Sequence, residues 1–254
     1  MILNKGRTAH SGTTAPHQMG AAAMRGPYGG ADHPSGTLTG VSGRDVRAVL
    51  WDMDGTLVDS SAIVPDAFVA TVLALGGPRM TRDEVVAYYD AGAPHVMLGM
   101  MLDREPDPAL GERYHATLAE VGSGVRVHDG VAEVLAELHG RGVPMGVFTG
   151  NSARAAAILL EAAGLRGWFE VVVGGDQVER PKPAPDGVLR VAQELGVDPA
   201  GCVYVGDSPL DVGAARDAGA VPLAAGWGHL FDAERAVTVL ATPAEVLHHL
   251  STGS

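Results

Sequence analysis

The sequence predicts an α/β fold, a doubly wound parallel sheet with a small helical domain inserted after its first strand. Two observations carry that expectation. From residue 46 onward, short β-branched apolar runs alternate with helical patterns. One interval between runs spans about 90 residues, far more than a crossover connection needs.

The apolar runs are VRAVLW (46–51), VPMGVF (143–148), FEVVV (169–173), CVYV (202–205) and VPLAA (221–225), with AVTVL (236–240) as a sixth. Helical patterns occupy about 130–140, 152–163, 185–195, 209–218 and 243–250. Strand followed by helix, repeated, implies parallel strands with both faces covered. Within the long interval, VPDAFVATVLALGG spaces its apolar residues as a helix and stops at Gly76 and Gly77. TRDEVVAYYDAG opens with Thr81 and Glu84 at capping-box spacing, and DPALGERYHATLAEVG supplies a further helix. The expected division is an α/β core over 45–62 and 127–254 and a helical cap domain over 63–126, hinged near 60–64 and 125–130. Met97 to Met101 are expected to fill the cap's interior.

Composition narrows the partners. A formal net charge of −12 and a pI near 5.2 argue against a nucleic-acid backbone partner, which needs clustered Lys and Arg. The single cysteine, Cys202, rules out an intrachain disulfide, fits a reducing cytoplasm and reads as a small buried residue. No run of 18 apolar residues is present, so no membrane span is expected. The first 44 residues are rich in Gly, Ala, Ser, Thr, Pro and His and carry a charge of +3, leaving −15 for the remainder. They lack the apolar core of a secretory signal. They read as a disordered tail, or in part as residues ahead of a start at Met19 or Met24.

In an open parallel sheet the ligand site lies beyond the carboxyl ends of the strands. After the first run come Asp52, Met53, Asp54, Gly55 and Thr56; after the second, Thr149, Gly150 and Asn151. The third run is followed by RPKPAP with Lys182, and the fourth by Gly206, Asp207, Ser208 and then Asp211. Two aspartates after one strand could simply cap a turn. Carboxylates, hydroxyls and a lysine at four successive strand ends point instead to a shared reactive rim.

This set resembles the haloacid dehalogenase superfamily, over about 45–250. DMDGTLVDS is similar to its first motif, TGN to its second, the lysine of RPKPAP to its third and GDSPLDVGAA to its fourth. The resemblance implies a Rossmann-like core with a small helical cap and a Mg2+-dependent phosphatase that works through an aspartyl-phosphate. In that reading Asp52 attacks phosphorus, a role for which a carboxylate just past the strand is suited. Asp54 protonates the leaving group and then takes a proton from water. Asp52, Asp207 and the backbone carbonyl of Asp54 hold the metal, with Asp211 behind them or near it and Ser208 in support. Thr149 and the backbone N–H groups of Gly150 and Asn151 hold phosphoryl oxygens, and Lys182 adds a point charge. Thr56 is either loop support or a phosphate-side contact. Asp59 and Ser60 are expected to end a turn or cap the next helix, and Asp186 to cap another.

Asp54 also discriminates among activities. Dehalogenases of the superfamily lack this second aspartate and phosphonatases replace it with alanine, so phosphatases and phosphomutases remain. The wording of the motifs is most similar to the phosphoglycolate phosphatase group. A β-phosphoglucomutase-like phosphomutase is the alternative, and a regulatory or binding protein that keeps the fold without turnover is a third reading. The expected partner is a small phosphate ester, with no nucleic acid or membrane, and the chain is expected to be a cytoplasmic monomer or homodimer. Substrate choice is assigned to the cap loop of Gly92, Ala93, Pro94 and His95, with His95 as the contact and Arg79, Arg82 and Arg104 as alternatives.

Overall fold

The computed structural model describes residues 45–228 and 237–250, all within one compact unit, Gly40–Ser254. The expected tail over 1–44 and the first residue of AVTVL lie outside the described residues. In chain order the strands are β1 (Ala48–Trp51), β2 (Val58–Asp59), β3 (Arg126–Val127), β4 (Met145–Phe148), β5 (Val171–Val173), β6 (Cys202–Gly206), β7 (Val221–Ala225) and β8 (Thr238–Leu240). The α-helices are α1 (Ile63–Ala74), α2 (Arg82–Val86), α3 (Pro94–Met101), α4 (Pro108–Val121), α5 (Val131–Gly140), α6 (Ala153–Ala162), α7 (Asp186–Glu194) and α8 (Pro209–Ala218).

Six strands form one parallel sheet in the order β5-β4-β1-β6-β7-β8. The chain builds outward from β1 to β4 and β5, then returns to β6 on the other side of β1. That reversal opens a crevice at the carboxyl ends of β1, β4 and β6. Successive side chains of a strand face opposite sides. Val49 and Trp51 accordingly join the core cluster that includes Phe68, Leu98 and Tyr114 of the insert, while Ala48 and Leu50 pack with Val188 and Ala215.

The helical insert connects β2 to β3 and holds α1 to α4. Leaving and returning linkers pair as a short antiparallel ribbon, Val58 opposite Val127 and Asp59 opposite Arg126. Two residues per strand carry no readable alternation, so the ribbon is absent from the sequence-based expectation. The Thr81 and Glu84 capping box forms, with Thr81 N–H donating to Glu84 Oε2 at 2.7 Å and Glu84 N–H to Thr81 Oγ1 at 3.3 Å.

Three segments differ from expectation. The helix expected over 81–92 ends at Val86 and resumes only as a 3₁₀ turn, Tyr89–Ala91, because Val85 alone buries a side chain there, too little to sustain a longer helix. Pro94 and His95, expected in a loop, are the first two residues of α3, with Pro94 at a position where its fixed φ favours helix entry. Met97 and Met101 are buried there, but Met100 is exposed. The last helical stretch, Pro243–His249, is 3₁₀ rather than α. Its seven residues bury only Pro243 and Val246. No helix among the described residues is long and apolar enough to cross a membrane.

Candidate active site

The strand ends bring four motifs together as their positions require. Asp52 follows β1 directly, and its N–H donates to the Val205 carbonyl of β6 at 2.8 Å, so it lies level with the end of that strand. Asp207 follows β6, and Asp211 lies in the first turn of α8. All three carboxylates are buried, and each offers an oxygen within 4.8 Å of the others.

Lys182 binds this group together. Its Nζ donates to Asp52 Oδ1 at 2.6 Å and to Asp211 Oδ1 at 2.7 Å. The ammonium also sits 5.0 Å from the Phe148 ring centroid and 5.4 Å from that of Tyr204, which fixes it over aromatic faces. Burial opposes its charge, but Asp211 and Asp52 outweigh burial and hold its pKa above the ordinary lysine range. Burial pushes Asp52 well above the usual carboxylate range, with Lys182 opposing and Asp211 and Asp54 adding to the rise.

Asp211 has its acceptors filled. Oδ1 takes Lys182 and lies 3.1 Å from the Tyr204 hydroxyl, while Oδ2 accepts the Ser208 N–H at 3.0 Å and the Ser208 hydroxyl at 2.5 Å. Ser208 in turn caps α8 by accepting from the Asp211 N–H at 3.3 Å. Asp211 is thus a positioning group for Lys182. Asp52 Oδ2, by contrast, accepts no hydrogen bond from a described residue. Space here is tight. A Cβ on Gly206 would lie 2.4 Å from Asp211 Cβ, so Gly206→Ala is expected to lower stability by about 1–3 kcal/mol. Thermal unfolding checks this: an unchanged midpoint would contradict the close approach.

Asp54 is held apart from this cluster. Its Oδ1 accepts the Ser60 hydroxyl at 2.5 Å, and its Oδ2 accepts the Thr149 hydroxyl at 3.0 Å and Asn151 Nδ2 at 2.9 Å. Ser60 was expected to end a turn or cap α1, and its bond to Asp54 was missed; the spacing of six residues belongs to neither a helix nor a strand. Asn151 differs too. Its backbone N–H, expected to face a phosphoryl oxygen, donates to Thr149 Oγ1 at 3.1 Å, a local turn that hydroxyl residues favour. Thr149 N–H donates to the Val173 carbonyl. The Gly150 N–H alone of the three is left without a bond to a described residue.

Thr56 is fully buried and its carbonyl accepts Trp227 Nε1 at 2.9 Å, while its hydroxyl has no partner. His95 lies on α3 beside Gly111 of α4, outside the group around Asp52. Arg82 pairs with Asp66 through two 2.7 Å bonds, and Arg104 donates to the Leu75 carbonyl. Asp186 does not cap its own helix; its carboxylate binds Arg180. Cys202 is buried, and burial pushes its thiol up to about 11, which fits a packing role.

One contact joins the insert to the loop of Thr149. His115 Nε2 of α4 lies 3.0 Å from Ser152 Oγ, the cap of α6 and the residue after Asn151. Burial, then Arg154, lowers the His115 pKa below its ordinary value. The unfolded chain therefore takes this proton before the folded protein does. Its stabilising contribution is intact above about pH 6.5 and declines as pH falls below that value. His115→Gln is expected to make the acid-side fall in melting temperature shallower between about pH 7 and 5, and an unaltered slope would contradict it.

The haloacid dehalogenase-like hydrolase family matches residues 46–219, and the chain belongs to it. It is a hydrolase. Among its relatives, the phosphoglycolate phosphatases of Shigella boydii serotype 4 (strain Sb227) and Escherichia coli (strain K12) are 33% and 32% identical, over 73% of this chain and 83% of theirs. The crystal structure of CbbY from Rhodobacter sphaeroides in complex with phosphate has a TM-score of 0.68 and 25% identity, covering 81% of this chain and 99% of that one.

Proposed function

We propose that this hydrolase is a divalent-metal-dependent phosphatase of the phosphoglycolate phosphatase kind, acting on a small soluble phosphate monoester in the cytoplasm. The observation that carries the reading is Asp52, buried at a strand end with one oxygen held by Lys182 and the other free of described donors.

The donor set fits a hard cation. Three buried carboxylates converge beside the Lys182 ammonium and offer the hard oxygen donors that Mg2+ prefers. Asp52 and Asp207 would hold Mg2+ with their side chains and Asp54 with its backbone carbonyl, while Asp211 stays on Lys182. When bound, the cation supplies neutralisation of phosphoryl charge.

The chain's own groups account for the rest. Lys182 orients Asp52 and adds positive charge where the phosphoryl oxygens must come. Asp52 Oδ2 attacks phosphorus, the bond to the alcohol oxygen breaks, and Asp54, protonated, gives that oxygen its proton. Asp54, now a carboxylate, takes a proton from water as the water attacks the phosphorylated Asp52. Inorganic phosphate leaves, Asp52 is regenerated and Asp54 is again protonated. Thr149 and Asn151, which hold Asp54, and the Gly150 N–H lie beside this path. The insert serves as the cap that selects the alcohol and excludes water.

Phosphate release from 2-phosphoglycolate, sugar phosphates and pyrophosphate, measured with Mg2+ and with a chelator, tests the reading. Metal-dependent release from at least one ester is expected, without a bisphosphate activator. Release from none would overturn it, and an absolute need for a bisphosphate would indicate the phosphomutase instead.

A further inference from the structure

The middle of α4 carries a hydroxyl that its packing does not use. Tyr114 is fully buried, and its ring stacks on Phe68 with centroids 4.1 Å apart. Its hydroxyl has no hydrogen-bond partner. Phenylalanine would fill the same space without burying an unpaired polar atom, so the hydroxyl works against folding at this position.

On the same helix, Glu112 pairs with Arg154 and His115 with Ser152, which ties α4 to the start of α6 beside Asn151. Asn151 in turn donates to Asp54. The carboxylate of Asp54 acts electrostatically on the phenols of both Tyr114 and Tyr89, adding to the rise that burial gives each pKa. Asp54 does not satisfy Tyr114, because its bonds go to Ser60, Thr149 and Asn151. The Tyr114 ring centroid lies 5.3 Å from that of His115, whose Nε2 meets Ser152, the residue after Asn151. Tyr89 is 41% exposed and Tyr114 is sealed.

We propose that Tyr114 determines specificity: its hydroxyl is the donor to an oxygen on the alcohol part of the bound ester, beside Asp54. The preferred ester then carries a carboxylate or hydroxyl acceptor on its alcohol. Tyr89, the more exposed phenol, on a three-residue turn ahead of Gly92 at φ 91°, is the neighbour that yields as the alcohol enters. This inference rests on the phosphatase reading and deepens it.

The test compares wild type with Tyr114→Phe on 2-phosphoglycolate, glycerol phosphate and phenyl phosphate in Mg2+, alongside thermal unfolding of both. The variant is expected to unfold at the same temperature or higher. Its kcat/KM ratio for 2-phosphoglycolate or glycerol phosphate over phenyl phosphate is expected to fall about ten-fold or more. A fall confined to 2-phosphoglycolate assigns a carboxylate acceptor, and one confined to glycerol phosphate a hydroxyl. A ratio unchanged within about two-fold in an active protein overturns the proposal alone. So does earlier unfolding with a uniform loss on all three esters, which marks a structural role. A wild type inactive on all three overturns this inference, and inactivity on the sugar phosphates as well overturns the phosphatase reading.

Discussion

Asp52→Asn abolishes turnover, lowering kcat by at least about 10⁴-fold, while the protein stays folded. The asparagine keeps the shape and an acceptor for Lys182 but cannot form the acyl-phosphate. Stability should hold or rise, because burial already disfavours the Asp52 charge and Asp211 still neutralises Lys182. A third readout separates nucleophile from bystander: the rise in melting temperature that Mg2+ gives the wild type should shrink in the variant, since a ligand is lost. Activity at the wild-type rate would sink the assignment, and lost activity with lost folding would show only that the site is structural.

Lys182→Met has the opposite balance, a large stability loss together with the loss of activity. The substitution keeps the aliphatic stem but removes the ammonium that lies 2.6 Å from Asp52 and 2.7 Å from Asp211. Asp52 and Asp211 would then be buried without the ammonium that both contact. Breaking one side of a buried ion pair costs about 3–5 kcal/mol. For a chain of this size that is a fall in melting temperature of roughly 6–20 °C. Mg2+ should restore more stability to this variant than it adds to the wild type, because the cation replaces positive charge that Lys182 supplied. Thermal unfolding across a Mg2+ titration decides: a variant as stable as wild type in chelator would mean that the carboxylates do not depend on Lys182.

These two effects rest on residues that the linear pattern already marked, and the reason is local. Asp52, Thr149 and Asp207 each follow a buried strand directly, so finding the strand finds the residue. Lys182 was legible for a different reason, its place in a Pro-rich segment after β5. The contacts around Asp54 were not legible in that way. Thr149 and Asn151 lie 95 and 97 residues from it, and the side-chain bond of Asn151 resembles nothing in the TGN stretch beyond the presence of an amide. His115 was invisible for the same reason, since its partner Ser152 is 37 residues away on another helix. The insert was read least well. Its helices are short and apolar on several sides, so α3 carried no clear helical stripe, and His95 was placed in a loop where Pro94 begins a helix.

By itself the sequence determined the order of the six sheet strands and the core helices between them, the long insertion after β1, and the carboxylates and lysine that meet at the strand ends. Those follow from side-chain period and from position relative to a strand end, which neighbouring residues encode. Only the tertiary structure decided what each of those groups touches. It alone set Asp211 on Lys182 rather than facing open space, turned Asp54 toward Ser60, Thr149 and Asn151, and left the hydroxyl of Tyr114 without a partner. Such pairings depend on how helices from distant parts of the chain are packed, and a hydrogen bond between residues far apart in sequence leaves no period to read.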